Sequence, residues 1–178
     1  LPSDDESNMS YDRQGRSFIA TLKKSGPFGR SHAIWTSPDF KKWTNTGVLI
    51  HADQEDQCLA REHILARFTD DGLHAPRYNN SADYNADIHN VGLFRYEGLY
   101  VALPAVYHAT GKVPAGNTDG FHLIQLISSR DLRTWRRLGD RQAFIGPSRI
   151  GKGAYDLTQL LPPSAPLLRG DELWFYYT

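Results

Sequence analysis

The chain has 178 residues, which is enough for one domain with a sizeable core. Twenty Lys and Arg residues balance twenty Asp and Glu residues, so no net field attracts nucleic acid or an anionic membrane, and neither is expected as a partner. The sequence has no apolar run near the roughly 18 residues that a membrane helix requires, and Cys58 is the sole cysteine, which excludes an internal disulfide.

The first fifty residues predict a four-stranded antiparallel unit. A polar stretch that contains Asp5 and Asn8 leads into a hairpin turn at residues 11–16. The apolar runs that have the composition of strands lie at residues 17–22, 31–36 and 48–50. Residues 1–53 are therefore predicted to form one small sheet.

Residues 54–86 interrupt this pattern of strands. The segment is polar and charged, with a predicted short helix around residues 58–68, and it is interpreted as an insertion between two repeated units. Long insertions in compact domains often carry function. The acidic residues near its start are interpreted as a solvated loop; they are Asp53, Glu55 and Asp56.

A second and a third unit follow the insertion. The strands predicted for the second unit lie at residues 91–96, 99–103, 121–127 and 142–145, with a polar loop at residues 110–119. The third unit begins after residue 150. It contains a turn at residues 169–171 and an aromatic strand at residues 172–177.

A seven-residue pattern, Ser-x-Asp-x-x-x-Trp, occurs at residues 37–43 and again at residues 129–135. Each copy follows an apolar run. Ser and Asp side chains end a strand because they bond to nearby backbone amides and hold a turn, and the Trp ring is expected to fold back against the strand. A repeated device at the end of a strand predicts a repeated sheet, which indicates a propeller or a sandwich.

This pattern and two longer segments, residues 86–100 and 153–159, resemble the five-bladed propellers of glycoside hydrolase families 32 and 43, including uncharacterised family-32-like bacterial proteins. The resemblance implies an all-β fold, a partial five-bladed β-propeller with about two and a half four-stranded antiparallel blades. The implied divisions are a blade at residues 1–53, the insertion at 54–86, a blade at 87–150 and an incomplete blade at 151–178.

The resemblance also implies an activity, the hydrolysis of glycosidic bonds in oligosaccharides or polysaccharides. That reaction needs two carboxyl groups that flank the scissile bond, and a third acidic group often tunes the pKa of a neighbour. Asp5, Asp87 and Asp156 each lie just before the innermost strand of an implied blade. We therefore expect these three residues to be the catalytic carboxyl groups.

The expected partner is a carbohydrate substrate, and no cofactor is expected. The histidines lack the spacing of a metal site, so no metal is expected either. Polar and aromatic residues near the three carboxyl groups are the candidates for substrate binding, because such side chains contact sugar hydroxyl groups and ring faces. These candidates are Asn8, His89, Asn90, Tyr107, Tyr155 and Gln159; Tyr107 is expected to lie in a loop, where its ring can stack on a sugar.

Two other functions stay open at this stage. The chain could be a non-catalytic carbohydrate-binding propeller that keeps the loop aromatics and polar groups but has no turnover. It could also be a structural fragment that completes its propeller by association, either with the rest of a propeller or as a homo-oligomer, because open sheet edges favour pairing.

Overall fold

The computed structural model describes residues 5–151 and 153–178. Most of its regular structure consists of antiparallel strands, which confirms the all-β prediction. The first sheet is a four-stranded meander in chain order, as the sequence predicted. Its strands are β1 (Asn8–Asp12), β2 (Ser17–Gly26), β3 (Gly29–Ser37) and β4 (Thr44–Ile50).

The second sheet has a longer central hairpin than the sequence predicted. Its strands are β5 (Asn85–Tyr96), β6 (Leu99–Lys112), β7 (Thr118–Ile124), β8 (Ile127–Ser129) and β9 (Arg136–Arg137). Both β7 and β8 pair with β6, so together they form an interrupted third strand. The predicted loop at residues 110–119 is the end of a second hairpin, formed by β6 and β7, because these two strands pair as far as Lys112 and Thr118.

The interruption between β7 and β8 lies opposite Pro104 of β6. Pairing of β6 with β7 ends at Ala105, and pairing of β6 with β8 begins at Ala102. Proline has no backbone N–H group and therefore cannot donate to the ladder. The Pro104 carbonyl instead accepts a hydrogen bond from the Gln125 backbone N–H at 3.0 Å. The predicted fourth strand at residues 142–145 is wrong, since that segment makes an isolated bridge at Ile145 while β9 occupies the fourth position.

The predicted short helix is longer than expected. Helix α1 (Gln54–Thr69) begins after Asp53, whose side chain accepts from backbone N–H groups of the first turn in a capping box with Asp56. The interpretation of this acidic stretch as a solvated loop is wrong, because Asp56 is buried and pairs with Arg137 at 2.7 Å and Arg141 at 2.8 Å. These contacts attach the start of the helix to the end of the second sheet.

The remaining regular structure is short. Residues Ser81–Asp83 and Gly139–Arg141 form 3-10 turns, and the third unit forms a hairpin of β10 (Leu167–Arg169) and β11 (Glu172–Trp174) around the predicted turn. Among the described residues, no helix has the length and apolar character that a membrane span requires.

The first two sheets share one apolar core. Removal of its side chains from water stabilises the packing of the two sheets. Its buried members are Ile19, Ile34, Ile50, Ile88, Val91, Leu93, Ala102 and Ile127. Polar contacts also cross between the sheets, because the Thr21 hydroxyl donates to the Val91 carbonyl at 2.6 Å. The sheets are thereby fixed against each other, and the residues at their junction have defined positions.

The two Ser-x-Asp-x-x-x-Trp turns have the same hydrogen bonds. In the first, the Asp39 carboxylate accepts from two following backbone N–H groups, each at 2.8 Å, and lies 3.2 Å from the Ser37 hydroxyl. In the second, Asp131 accepts from two backbone N–H groups at the same distance, and these bonds lower the pKa of Asp131 to about 2. The predicted turn chemistry is therefore present in both copies.

Candidate functional site

Polar side chains from both sheets meet where β5 of the second sheet contacts β1 and β3 of the first. We call this group the junction cluster; its members are Glu6, Asn8, Arg30, His32, Asp87, His89, Asn90, Tyr107 and His122. Five of them were candidate site residues from the sequence alone.

The Asp87 carboxylate is held by both sheets. One oxygen, Oδ2, accepts from the Arg30 backbone N–H at 3.0 Å, and the other, Oδ1, lies 3.0 Å from His89 Nε2. Gly29 makes the first contact possible, because an added Cβ there would lie 2.7 Å from Asp87 Oδ2. The Asp87 and His89 side chains are 16% and 17% exposed, while the Asp87 Oδ1 atom itself is buried and has no hydrogen bond.

A β-bulge at His89 brings three polar residues of β5 together, namely Asp87, His89 and Asn90. Asp87 pairs with Tyr107, but the register shifts between Ile88 and Asn90, so His89 is the extra residue. Paired residues on an antiparallel ladder share a face. The extra residue therefore moves Asn90 onto the same face as Asp87, three positions away, where a regular strand would point it to the other side.

Two aromatic rings complete this face of the second sheet. Tyr107 pairs with Asp87 on one side and with His122 on the other, so the three residues form a row across β5, β6 and β7. The ring of His89 stacks on Tyr107 with centroids 4.1 Å apart and lies edge-on to His122 at 5.0 Å. Tyr107 was predicted to lie in a loop, which is wrong; it is a buried strand residue whose hydroxyl donates to the Thr118 carbonyl at 2.9 Å.

Burial sets the charge of two histidines in this group, His32 and His122. It lowers the pKa of His32 to about 4 and that of His122 to about 3. Both rings are therefore neutral near pH 7. His32 Nε2 lies 3.0 Å from the His89 carbonyl oxygen, which fixes the backbone at the bulge.

Asn8 and Asn90 form the other side of the cluster. The Asn8 amide donates to Asn90 Oδ1, the Asn90 amide donates to the Glu6 carbonyl at 3.4 Å, and the Ser164 hydroxyl donates to Asn8 Oδ1 at 2.6 Å. The third unit therefore reaches the cluster through Ser164. Amide groups arranged this way can exchange these contacts for hydrogen bonds to a ligand hydroxyl group.

Asp5 lies at the surface, where it pairs with Lys23 and its side chain is 61% exposed. The neighbouring Glu6 turns the other way and pairs with Arg30 inside the cluster. Sequence reasoning missed Glu6, Arg30, His32 and His122. Arg30 and His32 are two positions apart on β3 and therefore lie on the same face of the strand. That spacing was the signal that could have identified Arg30 and His32.

Asp156 occupies a different setting from Asp87. Its carboxylate accepts from the Tyr177 hydroxyl at 2.8 Å, and the Ser148 and Tyr177 hydroxyl groups lower its pKa. The adjoining pocket of about 460 Å³ is also lined by Tyr155, which is 77% exposed. Gln159 is exposed beside it. The described residues show no contact from these three candidates to Asp87.

The third unit nevertheless contacts the junction cluster through residues that follow Asp156 in the chain. Two residues beyond Asp156, the Thr158 carbonyl accepts from the His122 backbone N–H at 2.9 Å, and Leu160 N–H lies 3.4 Å from His122 Nδ1. The segment then passes close to β5, where the Pro163 carbonyl oxygen occupies the space that a side chain at Gly92 would need. Residues 158–164 therefore connect the two polar regions.

The junction cluster combines carboxylates, an arginine, amides and neutral imidazoles; Glu6, Arg30, Asp87 and His89 are partly exposed, and both neutral imidazoles are buried. This set can bind hydroxyl groups and support acid–base chemistry. Within residues 5–151 and 153–178, no three His, Cys, Asp or Glu side chains are arranged to hold a metal ion.

No family model and no curated protein matches the chain. Among solved structures, one match is the crystal structure of an N-acetylgalactosamine deacetylase from F. plautii in complex with blood group B trisaccharide. The TM-score is 0.50 at 12% sequence identity, and the match covers 97% of this chain and 40% of that chain. The chain thus spans less than half of that protein, and at this identity the similarity concerns the fold alone.

Proposed function

We propose that this chain is part of a five-bladed, carbohydrate-active β-propeller similar to glycoside hydrolase families 32 and 43, and that the junction cluster is its sugar site. One observation carries the proposal: Asn8, Asp87, His89, Asn90 and Tyr107, all candidates from the sequence, meet in one polar cluster in which Asn8, Asp87 and His89 are partly exposed. The two consecutive four-stranded meanders, each with a Ser-x-Asp turn, support the blade assignment.

The proposed reaction is hydrolysis of a glycosidic bond. One carboxyl group gives a proton to the leaving oxygen while a second carboxylate acts on the opposite side of the sugar, and water supplies the hydroxyl group of the product. Asp87 is the proposed carboxyl group at the centre of the site. The solved structure with a similar fold contains a trisaccharide, which is consistent with a sugar ligand by analogy only.

The test is turnover by the Asp87→Asn variant. Nitrophenyl glycosides of neutral sugars and soluble polysaccharides are offered to the wild-type chain and the variant, with Asp71→Asn, an exposed loop substitution, as the control. We expect Asp87→Asn to lower turnover by about 100-fold or more and the control to change it by less than twofold. An equal rate for wild type and Asp87→Asn would contradict the proposal.

A non-catalytic sugar-binding role is the second candidate, because Asp87 Oδ1 is buried beside His89 Nε2 without a hydrogen bond, and a ligand hydroxyl group could supply that bond. Saturation-transfer NMR with the same sugars separates the two functions. Sugar binding without turnover of any glycoside would favour the binding role, and Asp87→Asn would then weaken binding while turnover stayed absent.

Association of copies is a third candidate, and exposed apolar side chains favour it. Leu167 and Leu168 on β10 are 57% and 61% exposed, and Trp174 and Tyr176 are also exposed. Such a surface favours burial against another sheet. We expect light scattering to report a mass above that of one chain, and Leu168→Glu to lower it; a monomer at all concentrations would contradict this candidate.

A further inference from the structure

We infer that Glu6, and not Asp5, is the second carboxyl group of the proposed sugar site, where it works opposite Asp87. This inference rests on the proposed function. The sequence suggested Asp5 as a catalytic carboxyl group together with Asp87. Asp5 and Glu6 are neighbours in the chain, but their side chains lie in different surroundings.

The backbone at Glu6 has a left-handed conformation, with φ of 59°. A residue with a Cβ adopts this conformation only at a cost in free energy, which the surrounding structure must offset. Glu6 lies just before β1 and outside the hairpin between β1 and β2. Its carbonyl accepts from the Asn90 amide at 3.4 Å, and this contact helps to hold the residue in its strained form.

The left-handed turn directs the Glu6 carboxylate towards Arg30. The guanidinium of Arg30 pairs with Glu6 Oε2, and the backbone N–H of the same residue donates to Asp87 Oδ2 at 3.0 Å. Arg30 therefore contacts both carboxylates, Glu6 through its guanidinium and Asp87 through its backbone N–H. The Glu6 side chain is 23% exposed, so it remains within reach of a ligand.

Asp5 has none of these features. Its side chain is 61% exposed and pairs with Lys23 on β2. Its partner Lys23 is not a member of the junction cluster, whereas catalysis requires both carboxyl groups to be held at the site. The contrast between the neighbours makes Asp5 a matched control for Glu6.

In the proposed step, one member of the Glu6 and Asp87 pair gives its proton to the glycosidic oxygen as the bond from that oxygen to the anomeric carbon breaks. The other member accepts a proton from the water whose oxygen forms the new bond to that carbon. Protons and electrons balance, since the first carboxyl group loses one proton and the second gains one, and exchange with solvent restores both.

The first experiment compares turnover of the nitrophenyl glycosides by Glu6→Gln and Asp5→Asn. We expect Glu6→Gln to lower turnover by about 100-fold or more and Asp5→Asn to stay within twofold of wild type. Full turnover by Glu6→Gln together with loss in Asp87→Asn would overturn the inference while leaving the proposed function standing. Full turnover by both variants would overturn both.

A second experiment does not depend on turnover. Cationic iminosugars bind between paired carboxylates, so their affinities are measured by calorimetry for the same variants. We expect Glu6→Gln and Asp87→Asn each to weaken binding by about tenfold or more, since each removes a charged hydrogen bond, and Asp5→Asn to leave it unchanged. Equal affinities for wild type and Glu6→Gln, or no binding by the wild type, would overturn the inference.

A third variant separates function from structure. Glu6→Gly removes the carboxylate and also relieves the left-handed strain, because glycine adopts positive φ without a steric cost. We expect the urea midpoint of unfolding to stay equal to that of wild type or to rise, while iminosugar binding falls as in Glu6→Gln. A lowered midpoint with unchanged iminosugar binding would show a purely structural role and overturn the inference.

Discussion

At the scale of single residues, the position of the Asp87 carboxylate depends on the absence of a side chain at Gly29. Gly29 has φ of +117°, and a Cβ there would lie 2.7 Å from Asp87 Oδ2. Gly29→Ala should therefore strain the backbone and also displace the carboxylate. We expect it to lower the free energy of unfolding by about 1–3 kcal/mol and to reduce sugar binding or turnover to the level of Asp87→Asn.

Gly47 supplies the matched control for this prediction. It has φ of +77° in β4, but an added Cβ would meet nothing within 4 Å. Gly47→Ala should lower the free energy of unfolding by about 1–2 kcal/mol through strain alone and leave function unchanged. Urea denaturation and the glycoside assay together test both variants. If Gly29→Ala retained full function, the close contact with Asp87 would not be what positions the carboxylate.

At the scale of elements, helix α1 is attached to the second sheet through Asp56. Its side chain is buried and pairs with Arg137 and Arg141, while the neighbouring Glu55 reaches Arg141 from an exposed position. Removing one partner of a buried ion pair leaves the other charge uncompensated. We expect Asp56→Ala to lower the free energy of unfolding by about 3–5 kcal/mol, measured by urea denaturation.

Glu55→Ala is the control for this element, because it removes a carboxylate from the same group of charges but from its exposed side. The Glu55 side chain is 66% exposed, and exposed pairs contribute only about 0–1 kcal/mol. Similar losses in the two variants would show that burial of Asp56 is not the source of its effect.

The elements also show what the sequence could predict. The two Ser-x-Asp turns were predictable because their hydrogen bonds lie within a few residues. The split of the third strand was not, because it depends on Pro104 of a neighbouring strand. In the site, Asp87 and His89 were found because they lie together in the chain, whereas Glu6 and His122 join them only through contacts between strands distant in sequence.

At the scale of the whole molecule, stability depends on three buried neutral histidines. Burial lowers the pKa of His32 to about 4 and the pKa values of His108 and His122 to about 3. Their ordinary value, which applies in the unfolded chain, is 6.5. Between pH 4 and pH 6.5 the unfolded chain therefore binds more protons than the folded chain, so stability rises with pH across this window and is lost as the pH falls.

The pH dependence gives a prediction for one of these residues. Each histidine contributes up to about 1.4 kcal/mol per pH unit to the slope of the free energy of unfolding. Carboxylates with a lowered pKa, such as Asp12 and Asp53, lose their contribution only as the pH falls below their ordinary value of 3.8. A decrease in stability between pH 6.5 and pH 5 should therefore come from the histidines.

His122→Asn tests this assignment, because the amide oxygen can still accept from the Leu160 N–H that lies 3.4 Å from Nδ1, while the side chain no longer titrates. Urea denaturation from pH 4.5 to pH 7.5 should show a steep slope for the wild-type chain and a slope smaller by up to about 1.4 kcal/mol per pH unit for the variant. The variant should therefore lose less stability than the wild type as the medium becomes acidic, even if it is less stable at pH 7. Equal slopes would mean that His122 carries a proton in the folded chain over this range, and the neutral ring inferred beside His89 and Tyr107 would be wrong.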